Sequence, residues 1–429
     1  TVAILAQALT MLKKFCLVSA ASVACVAVAL GALSSLAPWK HVGDACDNRV
    51  SSEVRELEGL PFRCGWQELR PGGLQPGVFA YLQPNGSWCW SNAGFIRSGQ
   101  SSSHGMLIDT LTDPVLTEGM LRRLPGAVEG HNSVTGVAYT HPDIDHVFGD
   151  QALPAGVRRH GRREVHGEML AQAGAAKLLM TAATVGHYVW ALAERVGLER
   201  LSQLPASKPL LGWARMQWLM ARFSFNLVSA SQMVGLTHAV DGEDVQLSVR
   251  GSEGEDGRRV RMLHFGSIHS KSDSVFLLPD SKVCFAGDLL FIGIAPVMWA
   301  GPAKSWVRAL DRLLAEAGPD WLFVPGHGPV TDVEGVLAVR RYFAYLDTAV
   351  ADLCSTLSLE PSDDRRCADS VLQGLPEELR TAFAEPQRIL ISAQIERMAR
   401  RLRGPVKVSL PTKGTLLAQQ GLYAIDDLL

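Results

Sequence analysis

Two histidines and two aspartates crowd one short run, Thr140 to Asp150, THPDIDHVFGD. His141, Asp143, Asp145 and His146 all fall within it. Neutral imidazole and carboxylate together are a ligand set for a divalent metal, and the balance of nitrogen to oxygen biases the choice among Zn, Mn and Fe. A solvated polar loop is the plainer alternative for this run taken alone. Three further positions offer the same chemistry: His269 in HFGSIH, Asp288 in FAGD and His327 in PGHG. Asp109 closes the run MLID.

Each of these residues follows an apolar, strand-like run. Val134 to Tyr139 leads into the first motif, Met106 to Asp109 carries the early aspartate, and Arg259 to His264 precedes His269. Lys282 to Ala286 precedes Asp288, and Trp321 to Val324 precedes His327. Strand C-terminal ends are where layered α/β proteins place chemistry, and a neighbouring glycine lets the backbone approach closely. One such turn is weak evidence; a series of them in order, each bearing His or Asp, is strong evidence for a metal centre.

Around these strands the pattern alternates. Gly77 to Leu82 and Trp88 to Ala93 read as a hairpin about the turn Pro84 to Gly86. Leu116 to Leu124 reads as a helix with Asp113 or Thr117 as cap. Val245 to Val249 and Ser274 to Leu278 read as strands, and Trp306 to Ala317 and Val333 to Leu353 as amphipathic helices. Residues 163–225 are rich in Ala, Leu, Met and Trp at helical spacing and read as a helical insertion. Its Trp190, Trp213, Met216, Trp218 and Met220 are read as packing, with a lid as the alternative. The expected divisions are a leader at 1–45, a linker at 46–76, a layered α/β domain at 77–353 and a helical tail at 354–429.

The chain has 429 residues, 47% hydrophobic and 20% charged, enough for a large core. A net charge of −2 provides no global basic field, which excludes nucleic acid as an expected partner. Residues 15–39 carry no charge and follow Lys13 and Lys14, with Met11 as a candidate start. This segment is read as a secretory signal, an anchor or an organellar leader, so membrane association is expected through it, with a cytoplasmic location as the alternative. The 8 cysteines form no C-x-x-C pair; Cys46, Cys64 and Cys89 either pair in an oxidising compartment or stay free. No G-x-S-x-G elbow supports a serine nucleophile.

The ordered set Asp109, H-x-D-x-D-H at His141 to His146, His269, Asp288 and His327 resembles the metallo-β-lactamase superfamily. The likeness covers about residues 77–345. The runs GVFAYLQPNGSW, SNAGF, LIDT, FAGDLLF, PVMWAGP and VPGHGPVTD are similar to a group of uncharacterised metallo-hydrolases within it. The resemblance implies a four-layer αββα sandwich of two mixed β-sheets. It implies two divalent metal ions, zinc first, with manganese or iron as alternatives. His141 and His269 would serve one ion, Asp145, His146 and His327 the other, and Asp288 would bridge them. Asp109 would orient a ligand from behind. Asp145 and Asp288 would be catalytic, with a metal-bound hydroxide attacking an ester, thioester, lactone or related bond of a small molecule.

Asp143 departs from the usual H-x-H-x-D-H. It either ligates as a carboxylate and favours harder Mn or Fe, or stands off and leaves a single-metal enzyme, or marks lost catalysis. The flavodiiron branch carries Glu there, and the closer group Asn. An iron-dependent oxidoreductase is therefore the second reading, and a catalytically silent membrane-associated binding protein the third. Among other residues, His264 is expected to pack within its strand, and Lys271 to be solvated. Trp299 and Trp306 are expected to pack or line the pocket. His104, His131, His160, His166, His187 and His238 show no partner pattern.

Overall fold

The structure, a computed structural model, describes residues 65–71, 74–83, 91–112, 114–126, 133–172, 234–250, 257–355, 357, 362–384, 386–406 and 408. Two mixed sheets face one another. The first holds β1 (Gly65–Glu68), β2 (Val78–Leu82), β3 (Ala93–Arg97), β4 (Gly105–Ile108), β5 (Val134–Ala138), β6 (Arg158–Arg162) and β7 (His238–Val240), side by side in that order. It is antiparallel as far as β4 and parallel from β4 to β7. The second holds β8 (Asp244–Val249), β9 (Arg258–Gly266), β10 (Asp273–Leu278), β11 (Val283–Phe291) and β13 (Leu322–His327), with β13 at one edge, parallel to β11. A two-stranded parallel ribbon pairs β12 (Gly293–Ile294) with β14 (Phe383–Ala384).

Parallel neighbours require crossovers, and each is present. Helix α1 (Pro114–Arg122) joins β4 to β5. Helix α2 (Ile144–Val147) and a 3-10 turn (Phe148–Ala152) lead towards β6. Residues 163–172, the start of the expected insertion, are helical and open the crossover from β6 to β7. The rest of that insertion, with its Trp and Met residues, lies outside the described residues, as do the 15–39 segment, the Pro84–Gly86 turn, Asp113, and Cys46, Cys64 and Cys89. Among the described residues no helix is long and apolar enough to cross a membrane.

The side-chain period of two splits β10 between two cores. Phe276 and Leu278 meet Val78, Ala80, Ile96 and Met106 between the sheets. Val275 and Leu277 face the other way, onto α3 (Ala303–Glu316) and α4 (Val333–Leu353). Helix α3 buries Trp306, Ala309, Leu310 and Leu313, an i, i+3, i+4, i+7 stripe. Asp332 caps α4 by accepting from the Glu334 amide at 2.9 Å.

The structure corrects several expectations. The second strand of the first hairpin is Ala93–Arg97, not Trp88 to Ala93. Its Gly94 serves close packing: a Cβ there would lie 2.2 Å from Cε1 of Phe285 on the facing sheet. Thr117 is not a cap. Helix α1 already begins at Pro114, and the buried Thr117 hydroxyl donates to the Thr110 carbonyl. The stretch expected as a linker contributes β1, an edge strand paired to β2. β11 runs past Ala286 to Phe291, so Asp288 lies within it, where shifts of register against β13 interrupt regular pairing. The segment expected as a helical tail is helical, as α5 (Ser362–Gln373), α6 (Glu377–Ala382) and α7 (Pro386–Leu402), but it packs into the core. Ile389, Leu390, Ala393 and Ile395 of α7 join the same core as α3 and α4. A disulfide, Cys354–Cys367, ties the end of α4 to α5. Cys284 is a buried free thiol.

Candidate metal centre

Four segments converge at one edge of the sandwich. His141 and Asp143 follow β5, Asp145 and His146 lie on α2, and His269 sits between β9 and β10. Asp288 lies in β11 and His327 ends β13. The seven side chains meet around Asp288. Its Oδ1 is 3.0 Å from His146 Nε2, and its Oδ2 lies 3.1 Å from His269 Nε2, 3.4 Å from His327 Nε2 and 3.7 Å from His141 Nε2. Asp143 Oδ2 is 3.2 Å from His269 Nε2, and Asp145 Oδ2 is 3.3 Å from His327 Nε2.

The cluster resolves into ligand groups. His141, Asp143 and His269 bring their donor atoms within 4.8 Å of one another, as do Asp145, His146 and His327, and as do His141, His146 and Asp288. Every residue expected at the site is therefore in it, and Asp143 stands with His141 and His269 rather than apart. No other described histidine enters these groups. His264 lies in β9, with Nδ1 3.3 Å from Ser274 Oγ. Lys271 is exposed, as expected, and pairs with Glu168 at the surface. Trp306 is buried core, stacked on Phe343, with its indole N–H on the Leu289 carbonyl at 3.0 Å.

Hydrogen bonds behind the cluster set which imidazole nitrogen faces inward. Asp109 Oδ2 accepts from His146 Nδ1 at 2.8 Å and from Thr140 Oγ1 at 2.7 Å, and its Oδ1 accepts from the Thr140 amide at 2.9 Å. With its proton committed to Asp109, Thr140 Oγ1 accepts from His141 Nδ1 at 2.9 Å. His269 Nδ1 donates to the Val297 carbonyl at 2.7 Å. In all three rings Nδ1 is engaged behind the cluster, which turns Nε2 towards the centre where a cation would sit, the arrangement of a ligating histidine. His141 Nε2, His146 Nε2 and Asp288 Oδ1 are buried without a hydrogen-bond partner among the described residues. Buried polar atoms are costly when unsatisfied, so such a convergence fits a divalent cation at the centre.

The charges are strongly mutual. Burial alone would raise the Asp288 carboxyl, but the four imidazoles hold it well below the usual carboxylate range. Burial and the neighbouring His146 push His141 down to about 3, leaving a neutral donor. Burial opposes charge on His327, yet Asp288 and Asp145 hold it up to about 9.

Several supports escape a reading of residue types alone. Asn92 Nδ2 donates to the Pro325 and Gly328 carbonyls at 2.9 and 2.8 Å, tying β3 to the His327 turn across the two sheets. Ser91 Oγ donates to the Asp145 carbonyl at 2.5 Å. Asp273 accepts from the Ile268 and Ser270 amides and from Ser270 Oγ, holding the His269 turn. Gly326 permits the closest approach, since a Cβ there would lie 1.8 Å from Asp288 Oδ1. The SNAGF run and the HSKSD spacing were the available signals, and neither names a structural role.

The family model of the metallo-beta-lactamase superfamily matches residues 86–327, more than half of the chain. Among solved structures, the stereoselective inverting sec-alkylsulfatase Pisa1 from Pseudomonas sp. is similar at 16% identity and TM-score 0.54, over 87% of this chain and 55% of that one. This chain thus spans about half the length of the alkylsulfatase. A metallo-beta-lactamase family protein from Thermus thermophilus shares 16% identity over 76% of this chain and 94% of its own, with TM-score 0.48. No curated protein matches. Family model, paired mixed sheets and the clustered His and Asp side chains agree, and the chain belongs to the metallo-beta-lactamase superfamily.

Proposed function

We propose that the chain is a metal-dependent hydrolase acting on an ester, thioester, lactone or related bond of a small molecule. Superfamily membership supports a metal-dependent hydrolase in general. The observation that carries the finer reading is the pair of ligand groups, each of two histidines and one aspartate, on either side of Asp288. Those residues fit two divalent ions: His141, Asp143 and His269 would hold one, and Asp145, His146 and His327 the other, with Asp288 between. Bound there, divalent metal supplies polarisation of the attacked group and lowers the pKa of a water towards about 7. Asp145 is more exposed than Asp288, so it is the better placed of the two to orient water or take a proton. Asp109 and Thr140 keep His141 and His146 in the ligating tautomer.

The second reading is an iron-dependent oxidoreductase. Asp143 favours it, because a carboxylate in place of a histidine makes both groups two-histidine, one-carboxylate sets, a pattern that suits iron. The test is to load the protein with Zn²⁺, Mn²⁺ or Fe²⁺ and assay ester, thioester, lactone and sulfate-ester panels. Turnover that peaks with Zn²⁺ or Mn²⁺, is abolished by Asp288→Ala and is only reduced by Asp143→Ala supports the hydrolase. Turnover unchanged in Asp288→Ala would end the two-metal reading. Redox-active spectra with two irons per chain and no hydrolysis would favour the second.

A further inference from the structure

The matched region ends at His327, yet the metal centre is braced from beyond it. His269 is held by the segment between β12 and α3. Its Nδ1 donates to the Val297 carbonyl, and its own carbonyl accepts from the Trp299 amide at 3.1 Å. The Gly301 amide donates to the Ile268 carbonyl at 3.1 Å. Three hydrogen bonds thus tie segment 295–302 to the His269 turn.

The opposite face of that segment is held by the C-terminal residues. Ser392 Oγ on α7 donates to the Pro296 carbonyl at 2.8 Å and accepts from the Met298 amide at 3.2 Å, flanking Val297 on both sides. Glu396, one turn along α7, accepts from the Ala303 amide at 2.6 Å. Ala303 opens α3, whose N-cap, Pro302, offers no side-chain hydrogen bond, so Glu396 supplies from another helix the acceptor that α3 lacks locally. The Val406 amide donates to the Ala300 carbonyl at 2.8 Å, and β14 pairs with β12. Ser392 and Glu396 are both fully buried. A buried carboxylate and a buried hydroxyl are costly to place in a helix that only packs, and here each spends its hydrogen bonds on this one segment or, for Glu396 Oε1, on Arg400 at 2.7 Å.

We propose that α7 is a positioning element of the metal centre, with Ser392 and Glu396 fixing segment 295–302 and through the Val297 carbonyl setting His269. This rests on the metal reading above. It predicts a one-sided effect, because among the described residues the hydrogen bonds of this segment reach His269 and none reaches His327. Loss of a partner behind a ligating histidine typically weakens metal binding about 10- to 100-fold. Ser392→Ala and Glu396→Ala, acting one step further back, should each weaken the His269-side ion about tenfold and leave the His327-side ion within about twofold.

The experiment titrates Zn²⁺ against a chelating competitor in two single-ion backgrounds of the full chain. H327A keeps the group of His141, Asp143 and His269; H269A keeps the group of Asp145, His146 and His327. The expected result is a loss on adding S392A or E396A in the H327A background only. E396Q, whose amide oxygen can still accept from Ala303, should recover most of the affinity. Equal losses in both backgrounds would mean general destabilisation, and no loss in the H327A background would mean no positioning role; either overturns the proposal. Failure of the unmutated chain to bind Zn²⁺ is a separate result, which removes the metal reading and the proposal with it.

Discussion

Asp109→Asn is nearly isosteric yet should disturb two histidines at once. Asp109 accepts three hydrogen bonds, from the Thr140 amide, Thr140 Oγ1 and His146 Nδ1, at 2.9, 2.7 and 2.8 Å. An amide oxygen can keep the first. The amide nitrogen then replaces Oδ2 and donates where a carboxylate accepted. Against that donor, His146 Nδ1 becomes the acceptor, and its hydrogen moves to Nε2. Thr140 Oγ1 likewise becomes an acceptor from the amide, turns its own proton onto His141 Nδ1, and so moves the His141 hydrogen to Nε2. A protonated Nε2 cannot ligate without giving up that hydrogen bond. One such partner is worth about 10- to 100-fold in affinity, or about 1.4–2.7 kcal/mol. On the assignment proposed above, His141 and His146 serve different ions, so both ions should weaken. Because the surrounding carboxylates hold His146 well above its ordinary pKa, imidazole ¹⁵N NMR of the metal-free protein on the alkaline side of that titration reads the tautomers, and chelator competition reads the affinities. Unprotonated Nε2 on both rings together with affinities within twofold of the original would refute the reasoning.

Three further outcomes are expected. Gly94→Ala should destabilise the fold by about 1–3 kcal/mol, because the new methyl meets the Phe285 ring at 2.2 Å; urea unfolding checks it, and a stability gain would contradict the packing described. Arg159→Leu should cost about 3–5 kcal/mol. It strands the buried Asp150 carboxylate, which Arg159 Nε meets at 2.6 Å and Tyr139 Oη at 2.5 Å; a loss in the same assay as small as that of a surface change would contradict this. Metal uptake should release protons at neutral pH. The metal-free His327, held at about 9 against an ordinary 6.5, is protonated there, and an ion must displace that proton. Apparent affinity should therefore climb as pH rises towards that value. Calorimetry in buffers of different ionisation enthalpy counts the protons, and buffer-independent heats would contradict the assignment.

The ligand residues were legible because most sit where an apolar run stops near Gly or Pro, and Asp288 follows Gly287 inside a strand that continues to Phe291; such local patterns survive in a linear reading. His141 to His146, His269, Asp288 and His327 all arrived at one cluster for that reason. The layered α/β class was legible from the same runs, and the two-sheet architecture only from the resemblance they carried. β3 was displaced because Ala93-Gly94 has low strand propensity, and the space Gly94 leaves for Phe285 of the opposite sheet is not written in the local sequence. Thr117 looked like a cap, but Pro114 already starts the helix. Asn92, Ser392 and Glu396 were missed because their partners are distant backbone atoms that no local pattern encodes: Asn92 reaches Pro325 and Gly328, and Glu396 reaches Ala303. The Cys354–Cys367 bridge likewise depended on how α5 folds back against α4.

Metal content tests the central claim most directly. Purified full chain dialysed with Zn²⁺ or Mn²⁺, freed of excess and measured by elemental analysis beside native mass spectrometry, should hold two ions per chain. Asp288→Ala, which removes the carboxylate that all four imidazoles face, should hold at most one. Less than roughly one tenth of an ion per chain after loading would contradict the account, since seven converging ligands should bind tightly.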